Sequence, residues 1–203
     1  MIKSLLGDHI DGWVHACFPF LFRRRLSPNA LTVVGTLVST ASAICFARGE
    51  FVAGGVLILA GGFFDLVDGV VARHQGDASR FGAFLDSVLD RFVDMVLLLG
   101  MAVHFSATQQ LGQVLLTAWT LVATVLVSYS QARAQLFLPD FRVGLMERGE
   151  RMLVLALGAV SGFLVAGLWV VAIGSTITVV QRFALAHREL SRVDRDGVGG
   201  SDS

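Results

Sequence analysis

Charged residues are scarce in this chain. Asp, Glu, Lys and Arg make up 16% of its 203 residues, whereas about a quarter of a typical soluble domain is charged. Hydrophobic residues reach 54%, which is more than a soluble domain usually contains. This composition excludes an ordinary soluble domain and favours an integral membrane protein.

Three further features that the sequence lacks limit the kind of protein it can be. The formal net charge is zero, so total charge gives no reason to expect a nucleic-acid or acidic partner. There are only two cysteines, Cys17 and Cys45, and their apolar surroundings favour packing over metal or redox chemistry. The N-terminal region has no clean apolar core that ends in a small-residue cleavage site, so we expect no secretory signal.

Long apolar segments dominate the rest of the chain, and a helix needs about 20 such residues to cross a bilayer. We predict an all-α membrane protein whose six transmembrane helices occupy about 30–47, 51–72, 82–104, 110–134, 147–163 and 166–186. An interfacial amphipathic helix over 1–26 is expected before them, and a disordered tail over 188–203 after them. The membrane domain thus covers 1–187, without a visible repeat or internal boundary.

The basic residues predict how this bundle is oriented. If both termini are cytosolic, nearly all Lys and Arg outside the spans fall on the cytosolic side, and only Arg48 falls on the other. The positive-inside rule favours this arrangement. We therefore expect a multi-pass protein of the cytoplasmic membrane with its chemistry at the cytosolic face.

Four carboxylates lie near that face. Asp65 and Asp68 are three residues apart on the second predicted span, and Asp86 and Asp90 are four apart on the third, so each pair shares a helix face. The short connection predicts that the two helices are antiparallel neighbours. Glycines at 69 and 82, with the small Ala72, would let them approach closely.

These carboxylates have two possible roles, structural and functional. Salt bridges to Arg73, Arg80 and Arg91 would neutralise them, but isolated buried ion pairs rarely stabilise a protein. Each charge costs about 2.5–3.5 kcal/mol at mid-membrane, so a functional role is the better explanation. Oxygen donors suit Mg²⁺, Mn²⁺ or Ca²⁺, and two such ions would form a clamp for phosphate or pyrophosphate.

The spacing D-x2-D-G-x2-A-R-x8-G-x3-D-x3-D over residues 65–90 is met at all eight fixed positions, by DLVDGVVAR and GAFLDSVLD. The chain thereby resembles the CDP-alcohol phosphatidyltransferases, integral membrane enzymes whose layout agrees with six spans. The resemblance implies that an acceptor hydroxyl attacks a CDP-alcohol, usually CDP-diacylglycerol, and that CMP leaves. It implies two divalent ions, Mg²⁺ or Mn²⁺, held by Asp65, Asp68, Asp86 and Asp90, with Asp90 also the general base.

The resemblance also implies a set of donor contacts. Gly69 would let the nucleotide approach the backbone and Arg73 would contact its phosphate. The CDP-alcohol site would comprise Asn29, Ala30, Leu31, Thr32, Asp68, Gly69, Ala72, Arg73, Ser79 and Gly82. Helix capping and packing are the alternative explanation for Asn29 and Thr32. Asp94 lies outside the signature, and we expect it to pair with Arg91 or to support the site.

Three later segments resemble bacterial phosphatidylinositol phosphate synthases: YSQARA at 129–134, ERGER at 147–151, and QR at 181–182. The resemblance implies an acceptor pocket for inositol 1-phosphate formed by Gln131, Arg133, Arg148 and Arg182. The alternative is that these arginines anchor helix ends to lipid headgroups. Gln131 stands where a Lys is common and Gly149 replaces a Pro, so glycerol 3-phosphate, serine and a CDP-inositol donor stay open.

Two other classes compete with the enzyme. Carboxylates within neighbouring spans also occur in cation or proton transporters, although those place the site near the midplane and often contain repeats. A non-catalytic scaffold is the other alternative, against which the complete signature argues. Close helix contacts and family habit predict a homodimer in contact with membrane lipids.

Overall fold

A computed structural model describes residues 28–75, 79–141 and 143–198, apart from the side chains of 28, 66, 68–75, 193, 194 and 196–198. Within these residues the chain forms six α-helices and no strand. They are α1 (Pro28–Ala47), α2 (Phe51–Gln75), α3 (Arg80–Ala107), α4 (Leu111–Ala134), α5 (Arg148–Val160) and α6 (Leu164–Val198). The predicted interfacial helix lies outside the described residues.

The six predicted helices are therefore present, but not all have the length and composition of a membrane span. Three are long and apolar enough: Asn29–Ala47 in α1, Leu111–Ala134 in α4 and Leu164–Arg192 in α6. The apolar part of α2 is shorter, Phe51–Asp65. Four charged residues from Asp86 to Asp94 interrupt α3, and the 13 residues of α5 reach only about 20 Å.

Helix α1 is the central helix of the N-terminal half, whereas α2 and α3 were predicted to be each other's neighbours. It packs against both α2 and α3, which have no comparable contact with each other in the described part of the chain. Small buried residues on α1 allow the neighbouring helices to approach closely. On one side, the Ser42 hydroxyl donates to the Gly54 carbonyl of α2 at 2.7 Å. On the opposite side, a Cβ at Gly100 of α3 would overlap the Ala43 carbonyl.

In the described part of the chain, the main packing partner of both α2 and α3 is thus α1. A Cβ at Gly82 would lie 2.8 Å from Asn29 Oδ1 of α1, so this glycine makes room for the first turn of α1. The side-chain positions of Gly69 and Ala72 lie outside the described residues. The packing partner of a helix depends on the whole bundle and cannot be predicted from the spacing of residues within one helix.

The apolar core forms where α1, α3, α5 and α6 meet. Its most buried members include Phe46, Leu97, Met101, Leu155 and Leu168. The outward faces carry many exposed large apolar side chains, such as Leu115, Trp119, Phe163 and Trp169. Such extensive exposed apolar surface is unusual in a soluble protein and agrees with a membrane protein.

The C-terminal segment differs from its prediction. Helix α6 continues to Val198, whereas a disordered tail was expected from 188. Arg195 Nε donates to the Ser191 carbonyl at 3.0 Å, and Ser191 Oγ lies 3.4 Å from His187 Nδ1. Good helix formers continue through this segment without a proline, so charge alone did not end the helix. Residues 199–203 lie outside the described part.

Candidate active site

Carboxylates of α2 and α3 meet at one guanidinium. Arg148 is the first residue of α5, and its Nη1 lies 2.8 Å from Asp65 Oδ2 and 3.0 Å from Asp90 Oδ1. The three side chains are partly buried, with 23–27% of each exposed. Asp86 lies one turn before Asp90 on α3 and is also partly buried. The predicted meeting of the two acidic segments thus occurs for Asp65 and Asp90, but through α5.

Asp94, one turn after Asp90, holds two arginines of α5. Its Oδ2 accepts from Arg151 Nη2 at 2.9 Å, and its Oδ1 lies 3.4 Å from Arg148 Nε. Its expected partner Arg91 instead donates through Nη1 to the carbonyl and hydroxyl of Ser87. Asp94 was expected to pair with Arg91 or to support the site, and the structure shows the second, because residues 90 and 94 share a helix face towards Arg148.

The Asp94–Arg151 pair should stabilise this part of the fold, because Arg151 is only 1% exposed. Removing one partner of a buried ion pair costs about 3–5 kcal/mol. We expect Asp94→Asn to lower the thermal midpoint in detergent by at least about 5 °C. Glu150→Gln is the matched control, because Glu150 is exposed on the same turn of α5. Equal midpoints for the two variants would contradict this role of Asp94.

The donor set fits a hard divalent cation, because Asp65, Asp86 and Asp90 offer only oxygen ligands. The guanidinium between Asp65 and Asp90 is itself a cation held by those oxygens. Among the described residues no three ligands are already close enough to form a cation site. The fourth predicted ligand, Asp68, has its side chain outside the described part, as do the donor-site residues Ala72 and Arg73.

A basic cavity of about 370 Å³ lies on one side of this cluster. Four arginines contribute to its wall, together with other polar residues: Arg91, Arg148, Arg151, Arg182, Ser128, Gln131, Gln135 and Glu147. Two buried polar atoms of this wall, Gln131 Oε1 and Arg151 Nε, have no hydrogen-bond partner among the described residues. Arg151 Nε is a donor and Gln131 Oε1 an acceptor, and buried polar atoms are nearly always hydrogen-bonded, so the cavity suits a ligand that combines an anionic group with hydrogen-bond donors.

Arg182 is fixed in that wall by backbone carbonyls. Its Nε donates to Val143 at 2.8 Å and its Nη1 donates to Val127. The loop before α5 is held by α6 as well, because the Met146 amide donates to Thr178 Oγ1 at 3.0 Å. Helix α6 therefore positions both Arg182 and the segment that leads to Arg148.

The structure places three of the four predicted acceptor residues in the wall of the basic cavity. Gln131, Arg148 and Arg182 line the basic cavity, whereas Arg133 is exposed and is not part of its wall. Arg91 and Arg151 line it without having been predicted. The spacing of ERGER could have indicated Arg151, because residues 148 and 151 share the same face of a helix.

An apolar groove of about 430 Å³ reaches the carboxylates from the other side. Two charged residues, Asp65 and Arg148, contribute to its wall. The rest is mostly apolar and includes Ile58, Leu59, Phe63, Val93, Leu97, Met152 and Leu153. Arg148 therefore belongs to both the groove and the basic cavity. The arrangement can accommodate an apolar chain in the groove and a polar anion in the basic cavity, with Arg148 in the wall of each.

The predicted nucleotide contacts that the structure describes lie around the first turns of α1 and α3. Ser79 is the N-cap of α3, and its Oγ accepts from the Gly82 amide at 2.9 Å. Asn29 is partly buried beside Gly82, while Leu31 and Thr32 are buried and Ala30 is exposed. Capping and packing thus account for Ser79 and Thr32 in this structure, and Asn29 stays available to a ligand at this end.

Comparison with known proteins identifies the family. Residues 25–186 match the family described as CDP-alcohol phosphatidyltransferase. The chain belongs to this family. Its members are transferases, so the chain is an enzyme and not a transporter, and its chemistry is that of a CDP-alcohol phosphatidyltransferase.

Several relatives of this CDP-alcohol phosphatidyltransferase have assigned products. Phosphatidylinositol phosphate synthase of Streptomyces avermitilis is 37% identical over 191 residues, which cover 86% of this chain and 78% of that protein. Archaetidylinositol phosphate synthase of Pyrococcus horikoshii is 34% identical over 166 residues, covering 81% and 86%.

Crystal structures of Mycobacterium tuberculosis phosphatidylinositol phosphate synthase have the same fold. The complex with manganese and citrate gives a TM-score of 0.75 at 32% identity and covers 83% of this chain and 86% of that one. The CDP-DAG complex gives 0.73 at 32% identity and covers 83% and 90%. The predicted cofactor class, Mg²⁺ or Mn²⁺, agrees with the manganese complex of this relative.

Proposed function

We propose that the enzyme transfers the phosphatidyl group of CDP-diacylglycerol to a hydroxyl of inositol 1-phosphate and releases CMP. One observation carries the proposal: the acidic cluster adjoins a cavity walled by four arginines, and Arg148 belongs to both. Carboxylates suit the metal-bound pyrophosphate of the donor. Guanidiniums suit an acceptor that is itself a phosphate ester.

The donor side is supported by the apolar groove and by the relative that binds CDP-DAG. In this proposal an acyl chain lies along the groove, and the headgroup meets Asp65 at its end. The nucleotide would lie towards Asn29 and Ser79, with Gly69 and Arg73 contributing from α2. The groove's length along α2 keeps the lipid chain beside the reacting phosphate.

The four signature aspartates, Asp65, Asp68, Asp86 and Asp90, would hold two divalent ions. When bound, these ions would neutralise the pyrophosphate and stabilise the charge of the leaving CMP. Asp90 would take the proton of the acceptor hydroxyl. Its carboxylate, like that of Asp65, contacts Arg148, which lines the basic cavity.

The acceptor assignment is supported by what the relatives share. Two of these relatives act on different lipids by name, phosphatidyl in one and archaetidyl in the other, but both names include inositol phosphate. Gln131 in place of a Lys does not leave the cavity without charge, because Arg91, Arg151 and Arg182 remain in its wall. We therefore revise the predicted set by adding Arg91 and Arg151 and by omitting Arg133.

We propose that all six helices cross the membrane with the site on the cytosolic side. Short connections make successive helices alternate in direction, and α1, α4 and α6 have the composition of spans. The carboxylates of α2 and α3 would be tolerated because bound ions and α5 arginines compensate their charge. The cytosolic termini and the homodimer stay predictions.

The test is an acceptor screen with purified protein, CDP-diacylglycerol and Mg²⁺ or Mn²⁺. Inositol 1-phosphate should give the highest rate of CMP release. Inositol is the matched control, because it differs only by the phosphate that the arginines would bind. Glycerol 3-phosphate, serine, and CDP-inositol as donor complete the screen. Equal rates with inositol and inositol 1-phosphate would contradict the acceptor assignment.

A further inference from the structure

Arg148 lies at the boundary between the acidic cluster and the basic cavity. Its Nη1 contacts Asp65 and Asp90 at 2.8 and 3.0 Å. Its Nε lies 3.4 Å from Asp94 Oδ1. The same side chain lines the cavity beside Arg91, Arg151 and Arg182. It is thus surrounded by anions on one side and by cations on the other.

A divalent cation held by Asp65 and Asp90 would compete with Arg148, whose Nη1 contacts one oxygen of each carboxylate, Oδ2 of Asp65 and Oδ1 of Asp90. Such ions bind carboxylate oxygens at about 2.0–2.6 Å, closer than the 2.8 and 3.0 Å from Nη1. A guanidinium and a divalent cation a few ångströms apart also repel. A divalent ion at these two aspartates therefore weakens their contacts with Arg148.

We propose that Arg148 is an internal counter-cation of the carboxylates, which turns into the basic cavity when they take a divalent ion. Cation binding would thereby add a positive charge to the acceptor site. The inference rests on the proposed function, since it takes the aspartates as metal ligands and the cavity as the acceptor site.

Asp94 makes this movement a local one. It lies one turn beyond Asp90 and contacts Nε of Arg148, so it can hold the rigid, planar guanidinium beside the cluster after Nη1 has left Asp65 and Asp90. When no ligand phosphate is bound in the cavity, Arg91, Arg151 and Arg182 repel Arg148 more than the one carboxylate of the described wall, Glu147, attracts it, which favours the contact of Arg148 with the aspartates. A phosphate there removes this repulsion. Binding linkage then requires that the cation and the phosphate each strengthen binding of the other.

The experiment measures Mn²⁺ binding to the full chain in detergent micelles by electron paramagnetic resonance, with and without inorganic phosphate. In the unaltered protein, phosphate should tighten Mn²⁺ binding. Arg148→Gln should bind Mn²⁺ about tenfold more tightly without phosphate, and phosphate should no longer change its affinity. Arg148→Lys should fall between the two, because an ammonium cannot contact all three aspartates as the guanidinium does.

Arg188→Gln is the control, because Arg188 is exposed on α6 and lies outside the cavity wall. It should bind Mn²⁺ as the unaltered protein does, with the same response to phosphate. The inference is overturned if Arg148→Gln binds Mn²⁺ no more tightly, or if phosphate affects both proteins equally. If Asp65→Asn and Asp90→Asn leave Mn²⁺ binding unchanged, the metal assignment of the proposed function fails instead.

Discussion

Asp65→Asn and Asp90→Asn should each lower CMP release by at least about 10³-fold, which corresponds to about 4 kcal/mol of lost transition-state stabilisation. Each change removes an oxygen charge from the cluster that would hold the divalent ions. Asp90→Asn also removes the proposed base. The measurement is CMP release from CDP-diacylglycerol with saturating inositol 1-phosphate over a series of Mn²⁺ concentrations.

The control for these two variants is Asp140→Asn, because Asp140 is an exposed carboxylate in the connection before α5. It should retain the full rate. Thermal midpoints should accompany the rates, since Asp65 and Asp90 both pair with Arg148. A folded Asp90→Asn protein that turns over normally would show that the carboxylate cluster is not the catalytic centre.

The helices and the acidic residues were predictable from local sequence. Helical spacing places Asp86, Asp90 and Asp94 on one face of α3 whatever surrounds it, and the apolar segments alone located all six helices. The position of α1 between α2 and α3 was not predictable in this way. It depends on the small residues of α1 fitting against Gly54 and Gly100, which are contacts between segments far apart in sequence.

The arginines were harder to assign for the same reason. Positive-inside placement predicts arginines at these helix ends without saying where each one points. Arg133 and Arg182 looked equivalent in sequence, yet only Arg182 is turned inward, by the carbonyls of Val127 and Val143. The partner of Asp94 likewise depends on where α5 begins.

Arg182→Gln should raise the KM for inositol 1-phosphate by about 10- to 100-fold, the loss expected for one charge-assisted hydrogen bond. The KM for CDP-diacylglycerol should change little, because Arg182 lines the basic cavity and not the apolar groove. Arg182→Lys should not restore the acceptor KM. A lysine has one ammonium, whereas Arg182 uses separate nitrogens for two backbone carbonyls.

Steady-state kinetics with each substrate varied in turn would separate these effects. Arg188→Gln, six residues further along α6 and exposed, is the control for loss of charge. Arg133→Gln tests whether Arg133 binds the acceptor. The family resemblance places Arg133 in the acceptor pocket, whereas the structure leaves it outside the cavity wall. A raised acceptor KM for Arg133→Gln, with Arg182→Gln unaffected, would mean that the basic cavity is not where the acceptor phosphate binds.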